Sequence, residues 1–147
     1  HAGVLRLAAE KAGWGKPPPK GRFRGIAMAE SFQTYVAQVA EVTEMRSGFR
    51  VRVQATGTTG VPLAVEIAFR DAGRLEGCTA IPGTPGSYVL ESGSGVYRAG
   101  RNEIRFGPGA APHRYVQLRG AEPKLPGQSV YITGFTPFDR TLTFECS

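Results

Sequence analysis

Phe49-Arg-Val-Arg-Val-Gln-Ala55 and, after a short Thr/Gly-rich break, Val61-Pro-Leu-Ala-Val-Glu-Ile-Ala-Phe69 place apolar side chains at every second position. A period of two is that of a strand with one face buried and the other wet. Asp71-Ala-Gly73 closes a turn, and Arg74-Leu-Glu-Gly-Cys78 follows as a third strand. Ser87-Tyr-Val-Leu-Glu91 and Gly95-Val-Tyr-Arg98 flank Ser92-Gly-Ser94 and read as a hairpin. Four further strands are expected at Asn102–Phe106, Arg114–Arg119, Ser129–Phe135 and Arg140–Glu145. Short strands at roughly 10–15-residue spacing, with no helical period between them, predict an antiparallel β-sandwich or jelly roll. About eight strands would span residues 47 to 147. Its expected core is Val51, Val53, Leu63, Val65, Ile67, Phe69, Val89, Ile104, Phe106, Val116, Leu118, Val130, Ile132, Leu142 and Phe144.

Upstream the character changes near Met45, dividing the chain into an extension, 1–45, and a sandwich domain, 46–147. Val4, Leu5, Ala8, Ala9 and Ala12 recur at helical spacing, and Gly13 is a suitable stop. Gly15 to Gly21, with Pro17-Pro18-Pro19 at its centre, cannot be regular structure. Beyond it the pattern is ambiguous. Phe32, Tyr35, Val36, Val39 and Thr43 would line one helical face, yet the valines of Thr34–Val42 would equally pair as strands around Glu30-Ser31.

Composition excludes several classes. Hydrophobic content of 41% and charged content of 20% rule out wholesale disorder. No apolar run approaches the ~18–20 residues that cross a bilayer, so no membrane partner is expected, and no signal peptide opens the chain. The net charge is +6, concentrated in Lys11, Lys16, Lys20, Arg22 and Arg24, a run free of acids. Such a cluster beside Trp14 and Phe23 suits a phosphate or polyanion contact, with nucleic acid or acidic glycan; the alternative is a solvated linker. No nucleic-acid module frames it, so nucleic acid is not the expected partner. Cys78 and Cys146 permit one disulfide or none; a bridge would close a loop of about 70 residues and contribute ~4 kcal/mol. Neither has a Cys or His at ligand spacing. No cofactor is expected. A secreted or periplasmic location is favoured over a cytoplasmic one.

The runs Val4-Leu-Arg-Leu-Ala-Ala-Glu-Lys-Ala-Gly-Trp-Gly-Lys-Pro17, Gly21-Arg-Phe-Arg-Gly-Ile-Ala27 and Glu30-Ser-Phe-Gln-Thr-Tyr-Val-Ala-Gln-Val-Ala-Glu-Val42 resemble an internal segment of the molybdopterin-binding large subunit of isoquinoline 1-oxidoreductase and related aldehyde oxidases. The resemblance implies strand for Gly25–Val42. It carries none of that family's pterin-binding loops or its catalytic glutamate region. Glu103-Ile-Arg-Phe-Gly-Pro-Gly109, Gln117-Leu-Arg-Gly-Ala121 and Ser129-Val-Tyr-Ile-Thr-Gly-Phe-Thr-Pro-Phe138 resemble C-terminal β-sandwich modules of heparinase II/III-type bacterial proteins. That likeness implies binding or scaffolding rather than chemistry.

Three readings of the residues follow. In the first the chain is a non-catalytic binding or accessory module. Tyr97 and Tyr115, with Tyr88, Tyr131 and Trp14, would form a platform for sugar rings, and Arg98, Arg105, Arg114 and Arg119 would bind acidic groups. The alternative for these residues is core aromatics on one face and solvated arginines on the other. In the second the chain is a small hydrolase or lyase: His113 as base, Asp139 or Glu103 as orienter, Ser129 as nucleophile. In the third, His1 and His113 form a copper brace like that of lytic polysaccharide monooxygenases, with Phe144 or Tyr115 nearby. The exposed strand edges of residues 25–45 further predict self-association into a homo-oligomer.

Overall fold

The computed structural model describes residues 2–31, 34–70, 72–114 and 126–147. The chain is mainly β: the described residues form one N-terminal helix and eleven strands in two antiparallel-rich sheets, consistent with a β-sandwich. It forms two compact units. One comprises residues 1–61 and 136–142, the other residues 62–135 and 143–147. The last strand runs through both.

In the first unit, α1 (Ala2–Lys11) ends where Gly13 turns to φ 64°, a conformation that costs glycine little. The amide of Trp14 reaches back to the Ala9 carbonyl at 2.8 Å and caps the helix. The ambiguous stretch is a hairpin: β1 (Arg22–Ser31) pairs antiparallel with β2 (Thr34–Met45), from Arg22 opposite Thr43 to Ser31 opposite Thr34. Valine at alternate positions of β2 decides this, since branched side chains pack well on a pleated surface. β3 (Gly48–Ala55) follows after a two-residue turn and pairs with β2 from Met45–Gly48 to Gln38–Ala55. The sequence break at Met45 therefore falls inside a continuous sheet. β11 (Phe138–Cys146) is the neighbour of β3 on its other side.

The second unit holds β4 (Pro62–Phe69), β5 (Arg74–Glu76), β6 (Thr79–Ala80), β7 (Ser87–Val89), β8 (Gly95–Ala99), β9 (Asn102–Gly107) and β10 (Gln128–Phe135). One layer has the order β4-β10-β7-β6; the other runs from the end of β11 through β9 and β8 to β5. Rings from both layers meet in the core. Phe69 of β4 stacks on Tyr97 of β8 at 4.6 Å and lies 5.0 Å from Phe106 of β9, which in turn lies 6.5 Å from Phe144 of β11. Leu90, Val130 and Ile132 are also fully buried.

Three expectations need correction. Ser87–Glu91 and Gly95–Arg98 are not a hairpin: β7 pairs with β6 and β10, whereas β8 pairs with β5 and β9. The chain crosses between layers after the buried Leu90, and the true hairpin is β8–β9, turned at Gly100. Within the antiparallel-rich sheets, β10 pairs β7 in parallel. Val51, Val53, Leu63, Val65, Ile67 and Ile104 are only half-buried, while Tyr97 and Tyr131 belong to the core. Finally, Arg114 lies outside any strand; Val116, Leu118 and the rest of the strand expected there lie outside the described residues. No helix among the described residues is long and apolar enough to cross a membrane.

Candidate functional site

The basic run that stood out in the sequence folds into a cleft. Helix α1 stops at Gly13, the prolines hold the chain extended, and β1 begins at Arg22. Two backbone bonds fix the return: Arg22 N–H to the Pro19 carbonyl at 3.0 Å, and Glu44 N–H to the Gly21 carbonyl at 2.8 Å. The result is an open cleft of about 530 Å³ lined by Trp14, Gly15, Lys16, Pro17, Pro18, Arg22, Phe23 and Arg24. Trp14 is 47% exposed and Phe23 63% exposed, unusual values for the two largest apolar side chains of the segment.

Register supplies the electrostatics. Arg24 lies opposite Glu41 across the β1–β2 ladder. Its Nε donates to Glu41 Oε2 at 2.8 Å and its Nη1 donates to the Gly13 carbonyl at 3.3 Å. Arg22 Nη1 donates to Glu41 Oε1 at 3.2 Å. The Arg24 hydrogen bond, with the charges of Arg24, Arg22 and Arg52, holds the Glu41 carboxyl below its usual range. One carboxylate thus faces two guanidinium groups. Lys16 and Lys20 have no ion pair among the described residues. The cleft keeps a positive surplus beside two exposed aromatic rings. That combination stacks on apolar faces and attracts anions.

The catalytic candidates are built differently. His113 is buried; its Nε2 lies 2.7 Å from the Gly134 carbonyl and its ring packs 4.8 Å from that of Phe135. The Ala110 carbonyl accepts from Thr133 N–H at 2.8 Å, and the His113 carbonyl accepts from Thr133 Oγ1 at 2.7 Å. His113 therefore straps the 110–113 segment across the outer face of β10. Ser129 is buried on that same face and donates to Glu66 Oε1 at 2.7 Å. Tyr131, packed against Val89, Ile81 and Ala111, has its phenol pushed up by burial and by the Glu66 charge. Glu103 is paired with Arg98 at 2.5 Å and with Arg105 at 3.4 Å. Asp139, in the first unit, accepts from Arg52 at 2.8 and 2.5 Å and from Gln54 at 3.0 Å, and these bonds depress its carboxyl. Ser129 thus bonds a carboxylate, while Glu103 and Asp139 are each held by arginine.

The proposed aromatic and arginine platform is also divided. Tyr97 is 7% exposed; its hydroxyl donates to the Arg70 carbonyl at 2.7 Å while its ring stacks on Phe69, so it is a core residue and not part of a platform. Arg98 and Arg105 do share the outer face of β8 and β9, but in an alternating ladder: Arg74–Glu76 at 2.6 Å, Glu76–Arg98 at 3.5 Å, Arg98–Glu103 and Glu103–Arg105. Arg114 is exposed and pairs with Glu91. Tyr115, Arg119 and His1 lie outside the described residues. Both cysteines are free, and burial pushes the Cys78 thiol up to about 11. No group of three or more His, Cys, Asp or Glu side chains could hold a metal ion among the described residues.

What the sequence reading missed was Glu41 as the shared counter-ion of Arg22 and Arg24. Its signal, an acid on β2, becomes readable only with the hairpin register. No protein-family model, no curated protein and no solved structure matches this chain.

Proposed function

We propose that the chain is a non-catalytic binding module for acidic carbohydrate, with the Trp14–Phe23 cleft as its ligand site. One observation carries the reading: two exposed rings and Lys16, which has no ion pair among the described residues, converge on an open cleft of about 530 Å³. Sugar rings present apolar C–H faces that stack on aromatics, and uronate or sulfate groups would meet Lys16 and Arg22. The cleft volume lies within the ~300–1,000 Å³ of small-ligand sites. The arginines of β8 and β9 spend their charge on Glu76 and Glu103, which makes them the weaker candidate surface.

The test is a glycan array followed by titration of hits with Trp14 fluorescence as the signal. Acidic oligosaccharides are expected to bind and neutral analogues to bind less well, with affinity falling as salt rises. Trp14→Ala and Phe23→Ala should each weaken binding by at least tenfold, whereas Arg105→Ala should leave it unchanged. Retention of acidic glycans by the Trp14→Ala/Phe23→Ala double variant would defeat this reading. The same unit supports self-association. β1 is ten residues long and stands at the end of its sheet, so one edge of its backbone pairs with no strand among the described residues. Sedimentation should show a concentration-dependent dimer that Ala27→Lys suppresses.

A further inference from the structure

Helix α1 packs against β2, yet none of its side chains is buried. The reason is space. Two adjoining cavities, of about 320 and about 410 Å³, lie against α1 and share Ala8, Lys11, Ala37 and Thr56 as walls. The larger is lined by Val4 and Leu7 from the helix, Val36 from β2 and Val61, with Thr56, Thr58 and Thr136 also at its wall. Among the described residues, Lys11 is the only charged residue lining either cavity, and it has no ion pair there. The larger cavity is mainly apolar, and such a slot with a cation at its wall has a defined complement.

We propose that this slot binds an anionic amphiphile: an unbranched alkyl carboxylate whose chain lies between α1 and β2 and whose head group meets the Lys11 ammonium. The volume of the larger cavity is that of a small-ligand site. Walls that face open space forgo dispersion contacts, and an alkyl chain restores them. A carboxylate is selected over an amine by the sign of Lys11 and over an alcohol by its charge. A helix of ten residues is marginal unless packed, so a ligand that fills the gap also holds the helix in place. The slot shares no lining residue with the Trp14 cleft, so this proposal stands whether or not carbohydrate binds there.

The experiment is isothermal titration of the full chain with hexanoate, octanoate, decanoate and dodecanoate, all below micelle-forming concentrations, and with decanol and decylamine as controls. Affinity is expected to rise by about fourfold for each methylene that enters the slot, then level off when it is full. Decanoate should also raise the melting temperature. Lys11→Met should weaken decanoate by up to about fivefold and leave decanol unchanged. Ala8→Phe, on the half-exposed helix face, and Ala37→Leu, on β2, should each fill the slot and abolish binding. The helix variant guards against misfolding of the strand variant. Absence of binding in the carboxylate series overturns the proposal, as does decylamine binding as tightly as decanoate. Unchanged affinity in a folded Ala8→Phe variant overturns it too.

Discussion

Replacing Gly95 with alanine probes a tight contact between two strands of the sandwich. Gly95 is buried on β8 directly opposite Phe106 on β9. A Cβ there would stand 2.6 Å from Phe106 Cζ, 2.8 Å from Phe106 Cε2 and 3.0 Å from Cys78 Sγ. Carbon atoms do not approach so closely, so the Phe106 ring must move. It has little room, being 1% exposed and packed against Phe69 and Phe144. Overpacking of this kind costs about 1–3 kcal/mol. Phe106→Ala removes the ring and should cost about 3–5 kcal/mol in lost burial and cavity formation. In the double variant the alanine methyl enters space that the ring has vacated. Its cost should stay near that of Phe106→Ala alone, not the ~4–8 kcal/mol of simple addition, giving a coupling of about 1–3 kcal/mol. Urea unfolding followed by far-ultraviolet circular dichroism resolves these differences, since a domain is stable by only ~5–15 kcal/mol. Additive costs, or a neutral Gly95→Ala, would refute the argument that the ring fills the space above Gly95.

Two further outcomes follow from titrating groups. Glu41 and Asp139 have carboxyls depressed in the folded state, chiefly by hydrogen bonds from Arg24 and Arg52. A depressed carboxyl contributes stability above its unfolded value and loses it as pH falls through the folded one. The urea midpoint should therefore drop from about pH 5 downward, and Glu41→Gln should flatten part of that slope. Glu41 should matter more than Asp139, because its side chain is 20% exposed against 47%. Identical pH profiles for the wild type and Glu41→Gln would contradict this. The cysteines should separate by access: at pH 8 a maleimide should label exposed Cys146 in the native protein, and Cys78, half-buried with its thiol raised to about 11, only on unfolding. Equal native labelling rates, measured by mass spectrometry, would count against the burial of Cys78.

How far the fold could be read depended on which faces were wet. β4 advertises itself because Leu63, Val65, Ile67 and Phe69 share one face while Ala64, Glu66 and Ala68 take the exposed one. β10 does not. Val130 and Ile132 sit opposite Ile67 and Val65, yet Ser129, Tyr131 and Thr133 on the other face are buried as well. They tolerate burial because Glu66 and the 110–113 segment satisfy their polar atoms. Nothing within Gln128–Phe135 announces that cover. The false hairpin failed for a related reason. Ser92-Gly-Ser94 has the composition of a tight turn, but β7 pairs with β6 before it and with β10, some forty residues along the chain. A parallel pairing of that span leaves no local trace.

The same logic governs the candidate site. Its cations were plain in the sequence, since Lys11 to Arg24 carries five basic groups and no acid. Sequence proximity made the five look equivalent, and the fold separates them. Arg24 is spent on holding Glu41 and the Gly13 carbonyl together, and Arg22 shares that carboxylate. Lys16 borders the aromatic cleft, while Lys11 turns to the slot beneath α1. Charge on this surface is thus divided between a wet aromatic cleft and an apolar cavity. Ligands that differ in apolar content, not in charge, are the ones that would tell the two apart.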